Sequence, residues 1–356
     1  MYLLIIFFFS LLATLFSTPF LINYFTKHKI IDLPGGRRIN TQAIPRMGGI
    51  VLYITSLLSI ITFYSKLYEI KYFIFGSAFL LIVGVIDDIK EVNYKKKFIV
   101  QFIAAAFLVT FLSTEYSTLS FFGLNIPHPF DKVILTIFIV GVFNAINLFD
   151  GLDGLVTGFS LLVTIVTFII GWQINNRLLL ILSISLMGSL IGFLKYNAHP
   201  AKIFLGDSGS LTLGFFLVTL TLISSNNSVT GNMDLTFSVI LLAAPVIDTL
   251  KVMFIRIKSG RNPFISDTSH VHHIILGSNV KHKTTVFILQ GFSLLFAITA
   301  ILYLNNISIS LVLFAFLVLL LLMIKRMLSG YKRLGKQESV KKIYTKVLGV
   351  HTKFFG

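Results

Sequence analysis

The chain has 356 residues, of which 55% are hydrophobic and only 12% charged, and its mean hydropathy is +0.88. A soluble domain carries about twice that charge, so a soluble globular fold is excluded. The formal net charge of +16 would suit nucleic acid, yet the basic residues lie in short loops between apolar runs and in a C-terminal tail. There they fix topology and meet anionic headgroups or substrates, and no nucleic-acid partner is expected. The chain has no cysteine, which removes disulfides, thiolate metal ligands and a cysteine nucleophile.

Apolar runs of about twenty residues follow one another almost end to end, the length a membrane helix needs. They are continuous rather than alternating, which argues against a transmembrane barrel and leaves helices as the spanning structure that satisfies its own backbone. The expected fold is all-α, a polytopic integral membrane helical bundle of about 11 transmembrane helices. The spans fall at 2–22, 47–64, 72–88, 98–113, 132–149, 155–173, 178–194, 209–225, 235–255, 285–304 and 307–324. Residues Met1 to Ile22 lack a basic leader and a small-residue cleavage site, so they read as a retained first helix rather than a signal peptide.

Basic residues crowd alternate loops: Lys27, Lys29, Arg37, Arg38 and Arg46, then Lys90 and Lys95 to Lys97, then Lys195 and Lys202, then Arg256, Lys258, Arg261, Lys281 and Lys283. Opposite them stand Lys66, Lys71, Lys132 and Arg177. The positive-inside rule then places the N-terminus outside and the C-terminus in the cytoplasm. A transmembrane domain is expected over 1–325 and a basic cytoplasmic tail over 326–356. The outer loops, such as Ser113 to Asp131, read as connectors.

Four polar clusters fall on the basic, inner side. Asp87 and Asp88 close the third span. Adjacent acids point in different directions on a helix, and two acids at a helix C-terminus are unfavourable without a cation, which Lys90, Lys95 to Lys97 or a divalent metal would supply. The second cluster is Asn144-Ala-Ile-Asn-Leu-Phe-Asp-Gly-Leu-Asp-Gly154. Asn147, Asp150 and Asp153 recur every three residues there, so a continuing helix would set them near one face. The third runs from Lys195 through Asn197, His199, Pro200 and Lys202 to Phe204-Leu-Gly-Asp-Ser-Gly-Ser210. Asp207 starts a span in it, and Ser208 lacks the nucleophile elbow of a serine hydrolase.

The fourth cluster holds Arg261, Asn262, Pro263 and Phe264, then His270-Val-His-His273. These histidines lack the i, i+4 spacing and intervening Glu of a zinc protease. The many carboxylates and amides favour Mg²⁺ as a hard cation, leaving the histidines to bond phosphates. Asp248, in Pro245-Val-Ile-Asp-Thr249 of the ninth span, is an intramembrane acid and so a functional or a pairing residue.

In order, Asp87-Asp88, Asn144 to Leu155, Gly206-Asp-Ser-Gly-Ser210 and His270-Val-His-His273 resemble the motifs of the polyprenyl-phosphate N-acetylhexosamine-1-phosphate transferases. The opening loop, Asp32-Leu-Pro-Gly-Gly-Arg-Arg38 to Ile44-Pro-Arg-Met-Gly-Gly49, is also similar, and the resemblance covers about residues 25–290. It implies a bundle of ten or eleven helices in the cell membrane with a cytoplasmic active site. The implied reaction moves a sugar 1-phosphate from a UDP-N-acetylhexosamine to undecaprenyl phosphate, releasing UMP. The His-x-His-His form looks more like the branch using UDP-N-acetylglucosamine than the one making the peptidoglycan lipid precursor. The resemblance also admits a homodimer.

Residue by residue, it assigns Mg²⁺, or Mn²⁺ in its place, to Asn147 and Asp207. Asp87 and Asp88 match the acidic pair beside the lipid phosphate and metal, and Lys97 matches a phosphate-contacting lysine. His270, His272 and His273 match the loop that meets the diphosphate. Asp150 and Asp153 are expected to shape the metal and nucleotide site, with Asn144 and Arg261 as further substrate-binding residues. Bringing two phosphates together needs a cation and basic groups. The expected route is direct attack of the lipid phosphate, with Asp87 accepting its proton or orienting it; a two-step route through an aspartyl phosphate is the alternative. The rival class is a cation-coupled transporter using acids such as Asp248, which predicts carboxylates near mid-span.

Overall fold

The computed structural model describes residues 1–33, 42–113, 116–227, 231–262 and 270–324. Most of the glycine and arginine stretch of the opening loop, the Pro263-Phe264 pair and the basic tail lie outside these residues.

Each of the eleven apolar stretches is helical. In chain order the helices are α1 (Tyr2–Lys27), α2 (Gly49–Phe63), α3 (Lys71–Ile89), α4 (Tyr94–Leu112), α5 (Phe130–Phe149) and α6 (Leu155–Gln173). They continue with α7 (Arg177–Asn197), α8 (Gly206–Ser224), α9 (Leu235–Leu241), α10 (Ala243–Lys258), the short α11 (Val271–Leu276), α12 (His282–Tyr303) and α13 (Ile307–Ile324). Among the described residues eight helices are long and apolar enough to cross a membrane, or nine if α9 and α10 form one bent span. The expected count of about eleven is therefore not reproduced by length and composition.

Two of the differences have clear physical causes. The expected span 235–255 is broken, because α9 and α10 meet at an angle of 84°. Pro245 stands in the first turn of α10, where its missing N–H and its ring prevent α9 from running straight through. Helix α2 has 15 residues, about 22 Å at 1.5 Å per residue, which is short of a hydrocarbon core. The chain just before it turns at Met47, whose φ is +76°, and pairs with the segment leading into α8. Gly48 N and Gly49 N donate to the carbonyls of Phe204 and Leu205 at 2.9 Å each, and Phe204 N donates to Pro45 O at 2.8 Å.

Helix α8 is the axis of the bundle. Every residue from Ser208 to Ser224 is buried, and α2, α3, α5 and α6 all pack on it. Small residues permit that crowding: a Cβ on Gly49 would fall 2.0 Å from Gly209 Cα, and one on Gly84 would fall 2.5 Å from Ser208 Cα. The buried hydroxyls of Thr212, Thr219 and Ser224 each donate to the carbonyl four residues back, at 2.7 Å. An apolar bundle therefore tolerates them.

Two small sheets were not anticipated. Strands β1 (Ile31–Asp32) and β2 (Ile44–Pro45) pair antiparallel at one end of the bundle. At the other end β3 (Thr118–Phe121), β4 (Leu124–Ile126), β5 (Asn226–Asn227) and β6 (Asn232–Asp234) form a sheet in the order β4-β3-β6-β5. The loops read as plain connectors thus tie α4–α5 to α8–α9. Leu119 and Met233, buried neighbours in the parallel β3–β6 pair, seal that sheet onto the helices.

Candidate active site

At the end of the bundle opposite the four-stranded sheet, the C-termini of α3, α5 and α7 meet the N-termini of α4, α6, α8 and α12. A helix C-terminus repels acids and a helix N-terminus attracts them, and the sequence resolves that conflict across neighbouring helices. Asp88, buried at the end of α3, accepts the backbone N–H groups of Asp207 (2.9 Å) and Ser208 (3.0 Å) at the start of α8. Gly206 makes the approach possible. Its φ of +74° is a left-handed conformation, and a Cβ there would lie 2.5 Å from Asp88 Oδ2.

Asp87 points elsewhere. It accepts Val92 N at 2.6 Å and meets Lys97 Nζ, on the first turn of α4, at 2.7 Å. The same ammonium lies 2.5 Å from Asp207 Oδ2, so Lys97 bridges the two carboxylates. Asn147, in the last turn of α5, bonds Asp207 and donates to Ser210 Oγ at 2.8 Å. Asp87, Lys97, Asn147 and Asp207 therefore form one connected group.

Beside them is a cavity of about 690 Å³, lined by Asp88, Asn147, Asp150, Asp153, Asp207 and His273 among others. The expectation of a continuing helix through Asn147, Asp150 and Asp153 is corrected here. Helix α5 stops at Phe149, and Gly154, with φ of +72°, opens α6. The three side chains still reach one cavity, by way of a turn rather than a helical face. Burial, together with Asp207, Asp88 and Asp153, raises the Asp150 pKa to about 8. Asp153 accepts His199 Nδ1 at 2.6 Å and Ala201 N at 3.2 Å, while its own N–H donates to His282 Nε2 at 3.3 Å.

The histidine loop closes one side. His272 is buried against the turn: a Cβ on Gly151 would lie 2.2 Å from His272 Nε2. Burial first, and then the neighbouring His273, lower its pKa to about 3, so it works as a neutral hydrogen-bonding group rather than a cation. His270 lies behind it. Its Nδ1 is 2.9 Å from Asp248 Oδ2, and Val271 N donates to Asp248 Oδ1 at 2.9 Å. Of the two readings left open for Asp248, the structure shows a pairing.

Not every expected residue lines the cavity: Asp87 and Lys97 reach it through Asp207, and His270 and His272 through His273. Asn144 forms a reciprocal amide pair with buried Gln101, at 2.7 and 3.2 Å. It lies behind the wall, one turn from Asn147, and Gln101 stands one turn from Lys97. Arg261 is exposed at the end of α10 and does not line the cavity. The wall also includes Gln42 and His282, which no sequence motif marked, and Arg46, Asn197, His199 and Phe204, which the motifs contained without a site role. Arg46 is held by an ion pair with Asp32 and reaches the Asp88 carbonyl at 3.4 Å.

The donors sort into two sets. Asp207, Asn147 and Asp150 offer hard oxygens of the kind Mg²⁺ takes. Asp153, His199 and His282, whose ligand atoms lie within 4.8 Å of one another, form an imidazole-rich set better suited to a transition metal. The oxygen set fits the cation expected from the sequence.

Known proteins resemble the chain along most of its length. A family model described as glycosyl transferase family 4 matches residues 70–225. The chain is 32% identical over 319 residues to the probable undecaprenyl-phosphate N-acetylglucosaminyl 1-phosphate transferase of Bacillus subtilis strain 168, covering 88% of each protein. It is 32% identical over 285 residues to the undecaprenyl-phosphate alpha-N-acetylglucosaminyl 1-phosphate transferase of Thermotoga maritima, covering 80% of this chain and 86% of that one. A phospho-N-acetylmuramoyl-pentapeptide-transferase from Nitratiruptor is 35% identical over 263 residues, covering 62% of this chain and 73% of the relative. With relatives 32% identical along 80–88% of its length, the chain belongs to the polyprenyl-phosphate N-acetylhexosamine-1-phosphate transferase family.

Proposed function

We propose that the protein transfers an N-acetylhexosamine-1-phosphate, foremost N-acetylglucosamine-1-phosphate, from a UDP-sugar to undecaprenyl phosphate and releases UMP. The observation that carries this reading is Lys97 held between Asp87 and Asp207 beside a carboxylate-lined cavity. Two phosphates must meet there, and their repulsion has to be offset by fixed cations and dipoles. The choice of N-acetylglucosamine is supported by coverage, since the relatives named for that sugar align over 88% and 80% of the chain and the pentapeptide-transferase over 62%. The transporter reading finds no support, because Asp88 and Asp207 of the cavity stand at helix ends and Asp150 and Asp153 in the turn between α5 and α6, Asp248 is paired with the histidine loop, and the relatives are transferases.

In the reaction an oxygen of the lipid phosphate forms a bond to the sugar-linked phosphorus, and the bond from that phosphorus to the bridging oxygen breaks, releasing UMP. Lys97 is placed to exchange a carboxylate for the incoming phosphate. Asp87, freed by that exchange, orients the lipid phosphate or takes its proton. Asp88 is fully engaged by backbone N–H groups and serves as a fastening, which favours Asp87 over Asp88 for any direct role. His272 offers a neutral donor and His273 a further imidazole towards the diphosphate, and Arg46 adds a cation to the cavity lining.

Mg²⁺, held by Asp207 and Asn147 with Asp150 near, would act as a Lewis acid and screen the diphosphate charge. Exposed apolar side chains on α3 and α4, including Phe75, Ile82, Ile86, Ile99 and Phe102, give the polyprenyl chain a hydrocarbon-facing path towards Lys97. The basic loops favour a location in the cell (inner) membrane with this end cytoplasmic.

The test uses purified protein in detergent with undecaprenyl phosphate and a panel of labelled UDP-N-acetylhexosamines. Lipid-linked sugar phosphate and stoichiometric UMP are expected, lost with EDTA and restored by Mg²⁺. Folded protein that forms no such product from any sugar of the panel would refute the transferase reading. Activity that persists in EDTA would refute the metal.

A further inference from the structure

We propose that Asp248 is a positioning residue for the histidine loop, setting His272 against the Gly151 turn and His273 at the cavity through His270 and the first turn of α11. The proposal rests on the transferase reading and assigns a residue that the site's own motifs do not include.

The carboxylate is 2% exposed, and an acid buried so deeply persists only with partners. Among the described residues it has two, and both belong to the loop. Oδ2 lies 2.9 Å from His270 Nδ1, and Oδ1 accepts Val271 N at 2.9 Å. A capping role alone would use only the second contact. The first fixes an imidazole that is itself 3% exposed, and its other nitrogen, Nε2, has no partner among the described residues. The His270 ring then lies parallel to that of His272, at 5.7 Å and 13°. His272 in turn rests on Gly151 and contacts His273, which lines the cavity. His272 Nδ1 is likewise buried without a partner among the described residues.

The broken helix explains why the acid is in reach. After its 84° bend, α10 packs on α5 and α12, the helices that flank the site, and α11 packs on α12. Straightening α9 and α10 into one span would carry Asp248 away from the loop.

Asp248→Ala should lower kcat/KM for the UDP-sugar about 10- to 100-fold, the usual loss when a residue that orients a ligand-binding histidine is removed. The loss should appear as a higher KM for the UDP-sugar, with the KM for undecaprenyl phosphate unchanged. A mere loss of folded protein would lower only the apparent kcat. His270→Ala should act alike, and the double variant should be no worse than either single one, because the two residues act as one unit. Should Asp248→Ala fail to fold, the same contact is tested from its other side. In His270→Asn the amide N–H replaces Nδ1–H and keeps the bond to Asp248, so this variant should retain activity within about threefold while His270→Ala does not.

Wild-type kinetics in Asp248→Ala would overturn the proposal, as would losses that multiply in the double variant. Equal losses in His270→Asn and His270→Ala would overturn it too, by assigning the role to Nε2 directly. Absence of lipid-linked product from the wild type would instead refute the transferase reading itself.

Discussion

Replacing Asp88 separates positioning from chemistry at the acidic pair. Its two oxygens accept the N–H groups of Asp207 and Ser208, and that joint fixes where the Asp207 carboxylate stands. Asparagine keeps one acceptor and turns an NH₂ towards the other backbone donor. One charge-assisted hydrogen bond is lost, at about 1.5–3 kcal/mol. If the whole loss falls on the transition state, kcat/KM drops by about 10- to 150-fold. If part of it falls on the fold, the detergent-solubilised protein also melts a few degrees lower. Gly206→Ala attacks the same joint from the other side, since its Cβ would meet Asp88 Oδ2 at 2.5 Å. Its cost should shrink in an Asp88→Ala background. The assay is transfer of labelled sugar phosphate to undecaprenyl phosphate, run beside thermal unfolding. Complete loss of transfer in Asp88→Asn with an unchanged melting temperature would refute the reasoning, because it would make Asp88 a participant in the chemistry.

Two further perturbations follow from the same geometry. Lys97→Met leaves Asp87 and Asp207 facing each other without their shared cation, so transfer should fall at least about 100-fold, the scale for removing one electrostatic contact to a reacting group. More than a tenth of wild-type activity would remove Lys97 from the site. Asp150, with its pKa raised to about 8, binds a proton in the folded state that the unfolded chain releases near pH 4. Its contribution to stability is present below about pH 4 and is lost as pH rises to about 8, by at most about 1.4 kcal/mol per pH unit. Asp150→Asn, measured without divalent cations, should therefore raise the melting temperature more at pH 8 than at pH 5.5 while abolishing or weakening transfer. A shift of equal size at both pH values would contradict the assignment.

Hydropathy marked every helical stretch but the short α11, because a continuous apolar run has few other ways to satisfy its backbone in a membrane. It could not mark the break between Leu241 and Ala243, where the residues on both sides are equally apolar and only Pro245 differs. The four-stranded sheet was hidden for another reason. Its strands are two to four residues long, and the central pair joins Thr118 to Asn232, so no local pattern reports it. At the site, acids at the ends of spans stood out because such positions are costly without partners. Arg46, Gln42 and His282 did not, since one arginine, amide or histidine in a polar loop is ordinary until the fold brings it to a wall. Asn144 failed in the opposite sense: a conspicuous amide in the right motif turned out to serve Gln101.

The acidic pair shows why this divide falls where it does. Two adjacent carboxylates at the end of α3 cannot share a direction, and the sequence tells that much. Which helix meets each of them is a property of packing. Gly84, Gly206 and Gly209 let α3 and α2 approach α8 so closely that the positive end of α8 falls on Asp88. With that carboxylate engaged by backbone, Asp87 is left to Lys97, and Lys97 is drawn to Asp207. A hydrophobic bundle thus obtains a preorganised charge at its mouth by closing a helix end with one acid and leaving the other exchangeable. A single added methyl at Gly206 would set those two functions against each other.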